Sequence, residues 1–355
     1  MKKIKVAVMG CTGLVGQQFI RMLEKHPYFD IELITASPQS AGFKYGDVVD
    51  WIVGGETPGK IIDMIIADTA IESFRAKGIK VVFSALPAAI AKDIEGLLVE
   101  DGYCIFTNAS SYRMLPDVPI VIPEVNSEHF RLVEHQLKKH SGFIVTNSNC
   151  TTAGLVVFLK PLMSFGIRSV MVTTYQALSG AGRHGVASMD IIGNIIPFIR
   201  NEEEKMENET RKIMGMLFNG SIAPCEMEVN ASCCRVAVRD GHLESVSIEL
   251  SEEVDLGTLL DALKSFRGVP QELRLPTAPE VPVIVRMEED RPQPLLDVYN
   301  GNPERARGMA VTAGRIRKKG NRVNCFILSH NTIRGAAGTC ILNAELALQK
   351  GYLKN

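Results

Sequence analysis

Short apolar runs alternate with stretches of helical periodicity through the first part of the chain. The runs fall at residues 4–9, 31–36, 81–85, 103–107, 120–122 and 143–146. Helical patterns occupy 15–25, 88–99 and 127–139. Strands this uniformly apolar are buried on both faces, so the alternation predicts a parallel sheet covered by helices. Near Asn149 the pattern changes. A helix predicted at 151–163 leads into longer β-type runs at 170–175, 229–238, 243–250, 309–317 and 323–329. Such strands, broken by polar helices, predict a mixed, largely antiparallel second sheet.

Turn chemistry adds connections. Asp240-Gly241 lies between two of the later runs and is a strong hairpin signal, whereas Lys319-Gly320-Asn321 is a weaker one. The proline-rich stretch 268–294 is expected to cross the surface irregularly. A final helix at 336–349 is expected to return to the first domain. The fold class is therefore α/β: a doubly wound parallel-sheet domain at 1–149, completed by 332–355, and an α+β domain at 150–331.

Composition narrows the function classes. Of 355 residues, 46% are hydrophobic and 22% charged, which fits a globular chain with a large core and excludes a disordered one. Lys plus Arg (39) nearly cancels Asp plus Glu (40), so no strong field favours nucleic acid or an anionic membrane. The longest apolar run, 81–91, falls short of the roughly 20 residues that cross a bilayer. Lys5 interrupts the apolar opening, which reads as a strand and turn, not a targeting segment. Eight cysteines without a CxxC pair argue against zinc or a disulfide framework; no metal site is expected. Reduced thiols point to the cytoplasm.

Gly10-Cys11-Thr12-Gly13-Leu14-Val15-Gly16 follows a predicted strand and opens a predicted helix. Glycines there let the backbone approach a pyrophosphate, which the N–H groups of the helix start can hold. The GxxGxxG spacing is weakly specific alone, and a turn that merely packs a helix on a sheet is the alternative; the strand–loop–helix context supports a Rossmann-type site. The second strand ends Ala36-Ser37-Pro38-Gln39-Ser40, with no acid between Leu33 and Gly46 to hold a ribose 2′-hydroxyl. NADP is thus favoured over NAD, although Ser37 and Ser40 equally suit a simple turn.

Cys150 stands where the sixth predicted strand gives way to a long apolar helix. A thiol at a helix start has its anion stabilised by the dipole and free N–H groups, which could also hold an oxyanion. Cys11 has a comparable location but lies under the expected pyrophosphate. Cys104, Cys325 and Cys340 read as structural, and Cys233-Cys234 as mid-strand. The nucleophile needs a base. His26, His129, His135 and His140 fall on polar helix faces and are expected in solvent; His184, His242 and His330 lie among glycines or at strand ends. A two-residue turn at Asp240-Gly241 would pair Arg239 with His242 and put Arg235, Ala237, Arg239 and His242 on one face. That face would suit carboxylate binding and proton transfer; two exposed polar residues beside a hairpin fit the sequence as well.

With these residues in place, the chain resembles the aspartate-semialdehyde dehydrogenases of the archaeal and fungal branch over nearly its whole length. The resemblance implies catalysis and dimerisation in 150–331. The implied reaction is reversible: L-aspartate 4-semialdehyde, phosphate and NADP give 4-phospho-L-aspartate and NADPH, within lysine, methionine, threonine and isoleucine biosynthesis. It implies that Cys150, in Ser148-Asn149-Cys150-Thr151-Thr152, is the nucleophile. His242 matches the acid/base residue, which removes the hydroxyl proton of the thiohemiacetal. Arg235 matches the arginine that grips the substrate carboxylate, and Gln176 the glutamine that orients the substrate. Arg113 matches a phosphate-binding arginine. Glu202 and Lys205 match residues holding the substrate amino group and phosphate, with Glu203 and Glu204 left as alternatives for the acid. Asn331 resembles a nicotinamide contact, with Thr332 beside it, Ser179, Gly180 and Gly182 lining that pocket, and Ser84, Ala85 and Leu86 after the third strand.

Two other readings accompany it. Malonyl-CoA reductase resembles the same scaffold and thiol chemistry, but an amino-acid substrate better explains Glu202 and Lys205. A non-catalytic NADP-binding sensor would not need Cys150, Gln176, Arg235 and His242 together. A homodimer or homotetramer, acting on a small molecule with neither nucleic acid nor membrane as partner, is the expected state.

Overall fold

In the computed structural model, which describes residues 2–353, five of the six early apolar runs become strands of one parallel sheet. They are β1 (Ile4–Met9), β2 (Phe29–Thr35), β3 (Val81–Ser84), β4 (Cys104–Thr107) and β5 (Phe143–Thr146), in the order β2-β1-β3-β4-β5. The expected strand at 120–122 does not form. Ile120 makes one isolated bridge to Thr146, and Pro119 and Pro123 on either side cannot donate to a ladder. Helices α1 (Leu14–Leu23) and α2 (Ala88–Glu100) follow β1 and β3. The helix expected at 127–139 is divided into a 3₁₀ turn, Ser127–Arg131, and a short helix, Leu132–Leu137.

Alternation along the strands sorts the core into two faces. Phe83, Phe106 and Phe143 meet across one face in tilted and edge-to-face pairs, where Phe83 also meets Phe19 of α1 at 5.3 Å. Val82, Ile105 and Ile144 join Leu98 and Tyr103 on the other. Two histidines expected in solvent are buried here. His26 Nε2 lies 2.8 Å from Glu345 Oε1 inside the unit, and His129 is likewise enclosed. Polar neighbours in the sequence misled the expectation; at His26 the last helix covers the ring with Glu345.

The chain divides into two compact units. The first holds the chain to Val121, Glu128–Asn147 and the chain from Cys340; the second holds Ile122–Ser127 and Ser148–Thr339. Met1, Lys354 and Asn355, at the ends of the expected first domain, lie outside the described residues.

The main stretch of the second unit opens on α3 (Cys150–Leu159), which is apolar and, from Thr151 onward, buried all round. Its six-stranded sheet has the order β11-β12-β13-β10-β6-β9. The strands are β6 (Ile167–Gln176), β9 (Glu228–Arg235), β10 (His242–Leu250), β11 (Val283–Val285), β12 (Val311–Lys319) and β13 (Arg322–Ser329). Between β6 and β9 come α4 (Glu202–Ile213) and a small hairpin, β7 (Met216–Phe218) with β8 (Ser221–Ala223). β11 forms within the stretch expected to be irregular, because it pairs in parallel with β12. The last helix, α5 (Gly338–Gln349), follows a π-type turn at Ile333–Ala337.

The two hairpin signals part company. The weaker holds: Lys319 pairs with Arg322 around Gly320 and Asn321. The stronger fails. β9 pairs with β6 in parallel, β10 pairs with β6 from its other side, and β9 and β10 never meet. The intervening chain crosses the end of β6, where Leu178 and Ser179 donate N–H to the Val238 and Arg239 carbonyls. Arg239 therefore does not pair with His242; it is exposed beside Asp240.

Candidate active site

Asn149 caps α3. Its side-chain oxygen accepts from the N–H groups of Thr151 (3.0 Å) and Thr152 (3.3 Å), and its own N–H donates to Glu209 Oε2 at 2.5 Å. Cys150 is therefore the first helical residue and is half-buried. Its Sγ lies 3.2 Å from Nε2 of His242, the first residue of β10.

His242 is wholly buried, and its Nδ1 accepts from the Ala177 N–H at 3.1 Å. A neutral ring so held carries its proton on Nε2, facing the sulfur. In this form it donates toward the reacting atoms and does not take up the thiohemiacetal proton, the role expected of it from the sequence. Burial, with the Arg235 cation nearby, pushes its pKa down to about 3, so the ring is neutral at physiological pH. The Ala177 carbonyl accepts from Arg235 Nη1 at 2.7 Å, so the backbone of one residue, through its two flanking peptide groups, orients both side chains. Burial draws the Arg235 pKa below its usual value. Gly180 lies against this pair. A β-carbon there would stand 2.8 Å from Arg235 Nη1 and 3.0 Å from His242 Cε1.

Arg235 and Gln176 are register partners at the ends of β9 and β6. Gln176 Nε2 donates to Thr151 Oγ1, Thr174 Oγ1 and Glu202 Oε1 at 3.1–3.2 Å. The same Glu202 oxygen accepts from Asn149 Nδ2 at 2.8 Å. Of the three consecutive acids, Glu202 is the one enclosed; Glu203 accepts from the Cys233 N–H and Glu204 is exposed. Lys205 is half-buried further along α4. Asn331 joins two loops: its Oδ1 accepts from the Gly241 N–H at 2.9 Å and its Nδ2 donates to Ser179 Oγ at 2.8 Å. Thr332 beside it is buried, and Gly182 has φ +82°. Ala177, Thr174, Asn149 and Glu209 were missed by sequence reasoning. Only Asn149 carried a signal, as an N-cap residue before a helix.

The remaining candidates lie in the first unit. Gly10 has φ +73°, and a β-carbon on it would meet the Ala85 carbonyl at 2.8 Å. One on Gly16 would stand 2.1 Å from the Gly10 oxygen, so the loop requires both glycines. No side chain caps α1 at Gly13, and Thr12, Leu14 and Val15 around it are partly exposed. Its first N–H groups thus suit a pyrophosphate. Ser37 is exposed and Ser40 partly so, in a turn closed by the Ser40 N–H on the Ser37 carbonyl. Ser84 ends β3 buried, with Ala85 and Leu86 partly exposed after it. Arg113 is buried and donates to the Asn108 carbonyl at 2.7 Å. These features fit a dinucleotide with a 2′-phosphate better than one with a free 2′-hydroxyl.

Burial holds five other thiols protonated, with pKa values of about 12 at Cys11, Cys104 and Cys233 and raised further at Cys325 and Cys340. Among the described residues no cluster of three or more His, Cys, Asp and Glu side chains could hold a metal, and no helix is long and apolar enough to cross a membrane.

A glycine-loop unit followed by a mixed-sheet unit with a thiol set on a neutral histidine defines a nucleotide-linked aldehyde dehydrogenase. Residues 5–133 match the semialdehyde dehydrogenase NAD binding domain, and 159–334 the semialdehyde dehydrogenase dimerisation domain. The aspartate-semialdehyde dehydrogenase of Archaeoglobus fulgidus is 48% identical over 98% of this chain and 99% of its own. That of Methanothermobacter thermautotrophicus is 47% identical over 97% and 98%. Malonyl CoA reductase (NADP) of Metallosphaera sedula is 36% identical over 99% of both chains. The crystal structure of the Candida albicans aspartate semialdehyde dehydrogenase with NADP superimposes with a TM-score of 0.89, at 40% identity, over 99% of this chain and all of that one. The chain belongs to the aspartate-semialdehyde dehydrogenase family.

Proposed function

We infer that the chain catalyses the reversible, NADP-dependent, phosphorylating oxidation of L-aspartate 4-semialdehyde to 4-phospho-L-aspartate, within lysine, methionine, threonine and isoleucine biosynthesis. The observation that carries this reading is the 3.2 Å approach of Cys150 Sγ to His242 Nε2 at the capped start of α3. The thiolate of Cys150 attacks the aldehyde carbon, and the new oxyanion receives a hydrogen bond from His242 Nε2–H. That negative oxygen drives the hydride off the same carbon, leaving a thioester on Cys150. NADP, when bound, supplies the hydride acceptor, and the Gly10–Gly16 loop with Ser37 and Ser40 would hold it. Phosphate then attacks the thioester, releasing the acyl phosphate and the thiolate, with the proton of the attacking hydrogen phosphate lost to solvent. In the reverse direction His242 holds the same oxyanion.

Arg235 meets the substrate α-carboxylate, and Glu202 supplies a carboxylate for its ammonium. Gln176 orients the substrate, and Lys205 and Arg113 are the cations assigned to phosphate. Malonyl-CoA has no ammonium to match Glu202, which favours the amino-acid substrate. The functional state is a homodimer or homotetramer in the cytoplasm, a reading supported by the dimerisation domain of the matched family and by eight free cysteines.

The test is NADP reduction with aspartate semialdehyde, run with and without phosphate, beside NADPH oxidation with malonyl-CoA. Phosphate-dependent reduction is expected with the semialdehyde. NADPH oxidation with malonyl-CoA alone would overturn the assignment.

A further inference from the structure

We propose that the buried Glu124–Arg334 ion pair positions the nucleophile, by fixing the turn Ile333–Ala337 whose Gly335 packs against Cys150. The proposal deepens the reading above and rests on it for the turnover measurements. Both charged side chains are completely buried. Arg334 Nη2 donates to Glu124 Oε1 at 2.6 Å, Nη1 to Oε2 at 3.0 Å, and Nε to the Met309 carbonyl at 2.6 Å. A planar guanidinium bound on three sides cannot rotate or slide, so the backbone that carries it is held too.

That backbone is a π-type turn, closed by the Gly335 N–H on the His330 carbonyl (3.0 Å) and the Ala337 N–H on the Thr332 carbonyl (3.1 Å). Gly335 meets the nucleophile directly. A β-carbon on it would stand 2.7 Å from Cys150 Cβ, 2.8 Å from its carbonyl oxygen and 2.9 Å from its Cα. Two of these three atoms are backbone, so the contact cannot yield by a rotamer change. Two residues before the turn the same stretch of chain reaches the histidine side of the site, where Asn331 Oδ1 accepts from the N–H of Gly241, the residue before His242. One short segment thus bears on the backbone of Cys150 and on the loop leading into His242. Glu124 is itself pressed by Gly268, where a β-carbon would stand 2.7 Å from Glu124 Cα.

Burying two charges is a poor way to stabilise a core, since an apolar pair of the same volume does as well. Directional bonds, in contrast, hold a turn to the few tenths of an ångström that a thiol–imidazole contact needs. Glu124 and Arg334 touch neither substrate nor the reacting atoms and are positioning residues.

The test uses the full-length enzyme and two variants: Gly335→Ala, and Glu124→Met combined with Arg334→Met, which removes both charges and leaves none unpaired. In both, kcat is expected to fall at least about tenfold, with the NADP Kd within about threefold of the parent value. The iodoacetamide rate at Cys150, measured without substrate across pH 6–9, should fall in parallel and shift its midpoint upward. Unchanged kcat and an unchanged alkylation profile in a cooperatively melting variant would overturn the proposal. Failure of both variants to fold would overturn it as well, since the pair would then hold the fold and not the thiol. Alkylation needs no substrate, so it still reads the positioning if the parent proves inert toward aspartate semialdehyde.

Discussion

Two helix starts carry a cysteine beside them, and they have been put to opposite uses. At α3 the asparagine cap saturates two N–H groups, Cys150 is the first helical residue, and a neutral histidine donor reaches its sulfur. At α1 no side chain caps the helix, and Cys11 lies buried before it, with burial pushing its thiol up to about 12. The first end presents a half-buried sulfur, the nucleophile of the proposed reaction. The second presents free backbone N–H groups for a ligand's phosphates. A helix dipole favours an anion at either site, so the dipole cannot be what separates them. Burial and the neighbouring side chain decide which anion is held, a thiolate or a phosphate.

The largest expected effect comes from removing the sulfur. Cys150→Ala should lose at least about 10⁴-fold in kcat while NADP binding changes only a few-fold, as measured by turnover and cofactor titration. Substantial residual turnover would mean that some other thiol is the nucleophile. Next, His242→Asn should lower kcat by about 10²–10³-fold and slow iodoacetamide at Cys150. Because the ring is neutral down to about pH 3, the acid limb of the kcat profile above that value should persist unchanged in form. A smaller effect follows from the cap. Asn149→Ala should cost about 1 kcal/mol of stability in thermal melts and slow alkylation about two- to fivefold. The same substitution logic at α1 has no cap to remove. The smallest effect is at Cys11. A thiol raised to about 12 stays protonated as pH rises through the neutral range and ionises only near that value. Peptide mapping after brief iodoacetamide treatment at pH 6–9 should therefore find label on Cys150 and almost none on Cys11. Equal labelling of both would erase the distinction.

The two hairpin signals show how far local chemistry reaches. Gly320 and Asn321 close a hairpin because β12 and β13 are neighbours in the sheet. Asp240-Gly241 has the better turn residues but joins strands on opposite sides of β6, so its glycine conformation serves a crossover. Arg235 and His242 still reach one site, though by the end of β6 and the Ala177 peptide, not by alternation along a hairpin. Arg239, which shared their expected face, is out in solvent.

Strand and helix periods, the glycine loop and the cysteine before an apolar helix were all legible in the chain, because each depends on neighbours within a few residues. The identity of the enclosed acid was not: Glu202, Glu203 and Glu204 are chemically alike, and only the packing of α4 on Asn149, Thr151 and Gln176 selects the first. His26 and His129 show the same limit, since a polar helical face stays wet only if nothing later in the chain covers it. The amino-acid order by itself determined the parallel sheet, the loop that opens α1 and the candidate thiol. The tertiary structure alone decided the sheet neighbours of β6, the tautomer of His242 and the seating of Gly335 on Cys150. Each of those depends on contacts between residues remote in sequence, and no local propensity encodes which distant backbone arrives.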